Sequence, residues 1–208
     1  MSDTGVWGDA MKSGVLPAQA LRQLIRDGGL SGSPAIRDDQ IQPASLDLRL
    51  GPVAYRVRAS FLAGKNRSVA DRLADAVVEF TMHKVNLAEG AVLEKNCVYV
   101  IPLAESLALP AGVTAVANAK SSSGRLDLLT RTITDGGIEF DRIPEAYHGP
   151  LYAEVCPRSF SVLVREGQSV MAGTPLFRIN GTGSLWLEAA IPQAGVAGIG
   201  PGTPVEAT

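Results

Sequence analysis

Apolar and polar residues alternate with a period of two along much of this chain, a pattern that predicts β-strands. The clearest example is 46–50, where three leucines alternate with Asp47 and Arg49. Similar β-prone runs recur about every ten residues and are separated by turns that contain Gly or Pro. They lie at 53–58, 77–85, 97–103, 113–117, 129–133 and 151–156. This spacing favours a β-sandwich or barrel-like fold over alternating β and α units.

One segment with the apolar periodicity of a helix precedes the strands. Pro17 stands in the first turn of segment 17–27, two glycines follow its end, and Leu21 and Leu24 fall on one side. Proline at a helix start and glycine at its stop are the usual end signals. The sequence therefore predicts a short N-terminal helix packed on the edge of a sheet.

Composition narrows the class of protein. The 208 residues fit one ordinary domain, or one domain with an appendage. A formal net charge of -2 with 19% charged residues leaves no basic surface for duplex nucleic acid. We therefore expect no nucleic-acid partner.

Compartment and metal content follow from the cysteines and the apolar runs. Cys97 and Cys156 are far apart, so neither a disulfide framework nor a Cys-x-x-Cys metal site is supported. No signal-peptide core is visible at the N-terminus and no apolar run approaches 18 residues. These observations predict a cytoplasmic protein that does not engage the membrane.

One polar stretch interrupts the β-prone pattern at 119–129. Lys120, three consecutive serines and Arg125 place two cations and three hydroxyls within one short segment. If the segment opens a helix, its free amides, hydroxyls and cations could together bind an anion such as phosphate. The alternative is a serine-rich helix start followed by a solvated helix face.

A lone carboxylate lies on the predicted strand 151–156. Glu154 shares one face of that strand with Tyr152 and Cys156. If this face lines a cavity, desolvation favours a general base; otherwise Glu154 is an exposed strand glutamate.

Three blocks in order resemble the dCTP deaminase family of the dUTPase-like superfamily. They are 42–51 (QPASLDLRLG), 121–126 (SSSGRL), and Tyr147-His148-Gly149 followed five residues later by Glu154. The resemblance covers roughly 16–164 and implies a mainly β fold, a dUTPase-like distorted β-barrel or β-clip with a short N-terminal helix. It also implies a homotrimer whose active sites lie at subunit contacts.

The resemblance further implies roles for individual residues and a reaction. Catalysis would fall to Glu154, Ser121 and Arg125, which we expect to meet across a subunit boundary. Nucleotide binding would fall to Lys120, Ser122, Thr134, Asp141 and Tyr147. The reaction would be hydrolytic deamination of dCTP to dUTP and ammonia.

The expected cofactor is Mg²⁺ carried by the triphosphate, without zinc. The zinc deaminases need His-x-Glu and Pro-Cys-x-x-Cys, and this sequence has neither pattern. Glu154 would take a proton from water, the hydroxide would attack C4 of cytosine, and ammonia would leave.

The chain departs from the family pattern in two places. Pro144-Glu145-Ala146 stands before Tyr147 where the family commonly has an acid, proline and glycine, after an apparent insertion at 136–140. In the segment 165–208, residues 167–180 (GQSVMAGTPLFRIN) followed by 184–189 (SLWLEA) instead resemble a periplasmic efflux adaptor. We therefore divide the chain into a deaminase-like domain, 1–164, and an atypical, partly flexible β segment, 165–208, that a fusion or truncation could explain.

Two alternative functions follow from the same residues. One is a dUTP diphosphatase, or a bifunctional enzyme that deaminates dCTP and releases diphosphate. The other is a non-catalytic fusion or assembly fragment, in which Glu154 and the serines are remnants.

Overall fold

The computed structural model describes residues 14–177, which form three helices and twelve strands. The helices are α1 (Ala18–Arg26), α2 (Val69–Ala74) and α3 (Ser121–Arg125). The strands are β1 (Leu30–Gly32), β2 (Leu46–Arg49), β3 (Val53–Val57), β4 (Thr81–Asn86), β5 (Ala91–Leu93), β6 (Val98–Ala108), β7 (Val113–Ala119), β8 (Leu128–Thr134), β9 (Arg142–Ile143), β10 (His148–Pro157), β11 (Val162–Val164) and β12 (Ser169–Phe177). A 3-10 turn, Asp38–Gln40, precedes β2.

The strands form three open antiparallel sheets. The largest has the order β4-β3-β6-β10-β8, with β1 paired to β6. The second has the order β2-β12-β7-β9, and β5 pairs with β11 in the third. The predicted mainly β fold with a short N-terminal helix is confirmed, as a distorted arrangement rather than a closed barrel.

Helix α1 forms because its apolar side chains fall on one face. Leu21 and Leu24 are buried in the main core, and the helix ends where Gly28 takes a φ of 77°. A side chain at Gly29 would clash, because an added Cβ would lie 2.5 Å from Leu24 Cδ1. The sequence prediction of this helix is confirmed.

A second, smaller apolar cluster covers the other face of the large sheet. It is built around α2 and the segment before it, with Phe61, Val69 and Leu73 packed over the sheet residues Val100 and Tyr152. The Asp135 carboxylate holds α2 in place by accepting a hydrogen bond from Val69 N at 2.7 Å. Glu154, the candidate base of the sequence analysis, lies on the same face of β10 as Tyr152, a member of this cluster.

Two strands differ from the sequence prediction. The strand expected over 77–85 begins only at Thr81, because residues 76–79 form a turn in which Glu79 adopts a φ of 45°. In β2 both faces are buried, and Arg49 is only 1% exposed. The polar face of that alternation therefore carries a buried ion pair and is not solvated.

Strand β12 lies beyond the predicted domain boundary at residue 164. It pairs with both β2 and β7, so residues 169–177 fill the middle of the second sheet. The division into 1–164 and 165–208 stays a prediction, because 1–13 and 178–208 lie outside the described residues.

No helix within residues 14–177 has the length and apolar character needed to cross a membrane.

Candidate functional site

Glu154 lies on β10, between β6 and the edge strand β8 of the large sheet, and is buried. Strand pairing aligns it with Val100 on β6 and with Arg131 on β8. Its side chain is 2% exposed. Of the two interpretations of this glutamate, the structure supports the desolvated carboxylate over the exposed one.

Arg131 holds one oxygen of that carboxylate. Its Nη2 donates to Glu154 Oε1 at 2.5 Å, and its Nε donates to the same oxygen at 3.1 Å. Nη2 also donates to Ser60 Oγ at 3.0 Å, and the guanidinium carbon lies 3.9 Å from the centre of the Phe140 ring. Arg131 is thus fixed from three directions.

The second carboxylate oxygen of Glu154 has no partner. Within the described part of the chain, Glu154 Oε2 and Thr134 Oγ1 are the buried side-chain oxygens that make no hydrogen bond. Burying a polar atom without a partner costs free energy, so native structures satisfy most such atoms. An unsatisfied carboxylate oxygen in a dry niche is available to accept a proton from a bound molecule.

Asp141 lies beside this pair. Its Oδ1 accepts a hydrogen bond from Thr132 N at 2.6 Å, and its backbone adopts a φ of 62°. Burial raises the pKa of Asp141 above its usual range; the Thr132 amide and then Arg131 oppose the rise, and Glu154 adds to it. The insertion before it therefore places a second carboxyl near Glu154 and Arg131.

Thr134 and Tyr147 lie together at the end of β8. The Tyr147 hydroxyl accepts from Asp135 N at 3.1 Å and donates to Pro150 O at 2.6 Å. Burial is the main cause that raises the pKa of Tyr147 to about 12. Tyr147 is thus a neutral, fully bonded phenol, whereas the Thr134 hydroxyl beside it on β8 is unpaired.

The serine stretch forms α3, at the opposite end of β8 from Thr134. Ser123 Oγ donates to Val170 O at 3.0 Å, which ties α3 to β12. Lys120 Nζ contacts Asp47 Oδ2 at 2.5 Å, so this predicted phosphate ligand already has an anionic partner.

Three exposed side chains of α3 make no hydrogen bond or ion pair in the described part of the chain. Within residues 14–177, Ser121, Ser122 and Arg125 have no side-chain hydrogen bond or ion pair. They are free to contact a ligand or another chain.

Within one chain, the predicted residues around Glu154 do not contact the predicted residues of α3. Arg125 precedes Leu128, and Leu128 precedes Arg131 by three strand residues, which is roughly 10 Å along β8. No hydrogen bond or ion pair in the described ranges links Glu154 to α3, and the guanidinium on Glu154 is that of Arg131. Sequence reasoning missed Arg131, although a lone charge inside the run Leu-Leu-Thr-Arg-Thr-Ile-Thr is a usable signal.

Among residues 14–177 no three His, Cys, Asp or Glu side chains cluster as metal ligands would. The zinc-free expectation stays a prediction.

Comparison with known proteins identifies relatives of the described fold. The chain matches the family described as the 2'-deoxycytidine 5'-triphosphate deaminase (DCD) N-terminal domain over residues 12–172. A solved 2'-deoxycytidine 5'-triphosphate deaminase from Agrobacterium tumefaciens is 48% identical, with a TM-score of 0.76. The match covers 81% of this chain and 49% of that one, so the chain spans about half of the length of this relative.

Two dUTPases are more distant. The native dUTPase of EIAV is 19% identical, with a TM-score of 0.36, over 49% of this chain and 79% of its own. The dUTPase of Staphylococcus bacteriophage 80alpha is 14% identical, with a TM-score of 0.36, over 49% of this chain and 79% of its own. These matches give the efflux-adaptor likeness of 165–208 no support.

Proposed function

Because this chain belongs to the family of the 2'-deoxycytidine 5'-triphosphate deaminase N-terminal domain, we propose that it deaminates dCTP to dUTP and ammonia. Glu154 is the general base of this reaction. The observation that carries the proposal is the buried, unpaired Oε2 of Glu154 beside a fixed Oε1.

The chemistry follows from that oxygen. Glu154 Oε2 accepts a proton from water, and the resulting hydroxide forms a bond to C4 of cytosine. The same proton passes to the ring nitrogen N3, which balances the charge of the tetrahedral adduct. The C4 hydroxyl of the adduct then gives its proton to Glu154, which passes it to the exocyclic amine. The bond from C4 to that nitrogen breaks as the C4 carbonyl forms, and ammonia leaves.

The remaining catalytic groups come from another copy of the chain in a homotrimer. Ser121 holds the attacking water, and Arg125 orients the glutamate or polarises the pocket. Support for this arrangement is the exposure of both side chains on α3, together with their separation from Glu154 in one chain. The unpaired oxygen of Glu154 on one copy and the exposed donors of α3 on another copy would complement each other in one shared site.

The nucleotide is held by two sets of residues. Lys120 and Ser122 bind the phosphates, with Lys120 shared between the ligand and Asp47. Thr134, Asp141 and Tyr147 line the base and sugar pocket. Support for this set is that Thr134 Oγ1 is the second buried oxygen without a partner.

Two further parts of the proposal concern the metal and the compartment. Mg²⁺ arrives with the triphosphate, keeps several of its waters and needs no dedicated protein cage. The protein acts in the cytoplasm, an assignment supported by the thiols of Cys97 and Cys156, which form no disulfide and suit a reducing compartment.

The test is a product assay on the full chain with dCTP and Mg²⁺. We expect stoichiometric ammonia and a uracil nucleotide, with dUTP as the product. Release of diphosphate from dUTP without loss of amine would favour the diphosphatase. A folded protein that forms neither product at high concentration would contradict the proposal and favour a non-catalytic fragment.

A further inference from the structure

Arg131 is the strongest feature that the deaminase resemblance did not assign. It is the arginine that contacts Glu154 within one chain, through two nitrogens on a single oxygen. A symmetric fork would engage both carboxylate oxygens, but here Oε2 is left unpaired. The contact therefore fixes the carboxylate without occupying both of its oxygens.

The support behind Arg131 is equally specific. Ser60 Oγ accepts from Nη2 at 3.0 Å, and the Phe140 ring lies against the guanidinium at 3.9 Å. Phe140 ends the apparent insertion at 136–140. A planar cation between an aromatic face and a hydroxyl has little rotational freedom, so it holds its acceptor in one orientation.

We propose that Arg131 is a positioning residue for Glu154: it fixes Oε1 and leaves Oε2 as the proton-accepting atom. This inference rests on the proposed deaminase function. Phe140 and Ser60 hold the guanidinium in place. Arg131 itself touches no reacting atom.

Arg131→Met tests the role because it keeps an apolar stem but removes the charge and the donors. Misplacing a base by about 1 Å can lower a rate up to about 100-fold, so we expect kcat to fall by about that factor. The KM for dCTP should change by less than about twofold, since no substrate contact is lost. Arg131→Lys keeps the charge without the two-nitrogen contact and should fall between the wild type and Arg131→Met.

The pH profile separates positioning from mere packing. A nearby cation favours the charged form of a carboxylate, so the acid limb of kcat/KM should move to higher pH in Arg131→Met. In Arg131→Lys it should stay close to the wild type. Two other titratable groups near Glu154 are Asp141 and Tyr152, so the shift should be repeated in an Asp141→Asn background.

Arg56→Met is the matched control. Arg56 also pairs with a glutamate, Glu94, at 2.9 Å, and its side chain is 26% exposed against 30% for Arg131. We expect this variant to retain wild-type kcat and pH profile.

The outcomes separate the inference from the function. An active wild type whose Arg131→Met variant keeps kcat and the acid limb would overturn the positioning role alone. A wild type without deaminase activity would overturn both. If Arg131→Met does not fold, Arg131→Lys decides: wild-type kcat in that variant would overturn the inference, and a reduced kcat with an unmoved acid limb supports it.

Discussion

Two Arg–Glu pairs in this chain each have a buried glutamate, but they differ in how completely that glutamate is hydrogen-bonded. Arg49 and Glu105 meet at 2.7 Å with side chains 1% and 0% exposed. Glu105 Oε1 accepts from Arg49 Nε and Gln40 Nε2, while its Oε2 accepts from Arg49 N at 2.8 Å. Arg49 Nη2 donates to Pro34 O, so both oxygens of Glu105 are used and its arginine is held as well.

The second pair, Arg131 and Glu154, is left incomplete. Its arginine is 30% exposed, and its glutamate keeps one oxygen without a partner. In the Arg49–Glu105 network both carboxylate oxygens already have protein partners, so the network stabilises the fold and leaves no carboxylate oxygen for a ligand. In the Arg131–Glu154 pair the acceptor Oε2 remains available. The difference between the pairs therefore predicts that Glu154, and not Glu105, is the catalytic carboxylate.

The largest expected effect is on activity. Glu154→Gln keeps the shape of the side chain but cannot accept a proton as a base, so kcat should fall by about 10² to 10⁴. Stability should change little, because Arg131 stays partly solvated when its partner becomes neutral. The measurement is dCTP turnover together with urea unfolding of the same preparation. Full activity of this variant would break the comparison at once.

Glu105→Gln should show the reverse. Removing the charge leaves Arg49 buried beside a neutral amide, and breaking a buried pair costs about 3–5 kcal/mol. The free energy of unfolding from urea titrations should fall by that amount. The kcat of protein that remains folded should stay near the wild type. Equal destabilisation by both glutamine variants would contradict the contrast.

Sequence reasoning predicted the elements that depend on local pattern. The period of α1 and its glycine stop, and the alternation of β10, were enough to locate both. Arg49 could not be predicted as buried, because its carboxylate partner lies 56 residues away on another strand.

The candidate site was predictable only in part. Glu154 stood out as a lone acid on a β-prone strand, but Arg131 is linked to it by sheet register, which the sequence does not display. The turn at 76–79 is not predictable from the sequence, because Glu79 adopts a left-handed backbone, against the preference of that residue type.

The hydroxyls of Tyr147 and Thr134 differ in the same way, since the first is fully hydrogen-bonded and the second has no partner. Tyr147→Phe tests the fully bonded one. The change removes bonds to Asp135 N and Pro150 O, which should cost about 1–3 kcal/mol. The pKa of Tyr147 is raised to about 12, whereas an unfolded tyrosine ionises near about 10. Its contribution is therefore fully present below about pH 10 and is lost as pH rises toward about 12.

Unfolding titrations from neutral pH to about pH 11 check this sign. The wild type should lose its advantage over Tyr147→Phe as pH rises through that window. Tyr152, whose pKa is also raised to about 12 by burial, is present in both proteins and does not affect the difference. An advantage that grows with pH would contradict the assignment.

Thr134→Val should have the smallest effect and the opposite sign. The buried hydroxyl has no partner, so replacing it with a methyl group should stabilise the fold by up to about 1 kcal/mol. If Thr134 contacts the nucleotide as proposed, the KM for dCTP should rise in the same variant. Loss of stability comparable to that of Tyr147→Phe would show that the hydroxyl is bonded.

The most direct test of the central claim is complementation between two inactive variants. Glu154→Gln and Arg125→Ala are each prepared alone and by co-expression. If each site takes its base from one copy and its arginine from another, random mixing restores about one quarter of the wild-type sites. Activity that stays at the background of the separate variants would contradict a site shared between chains.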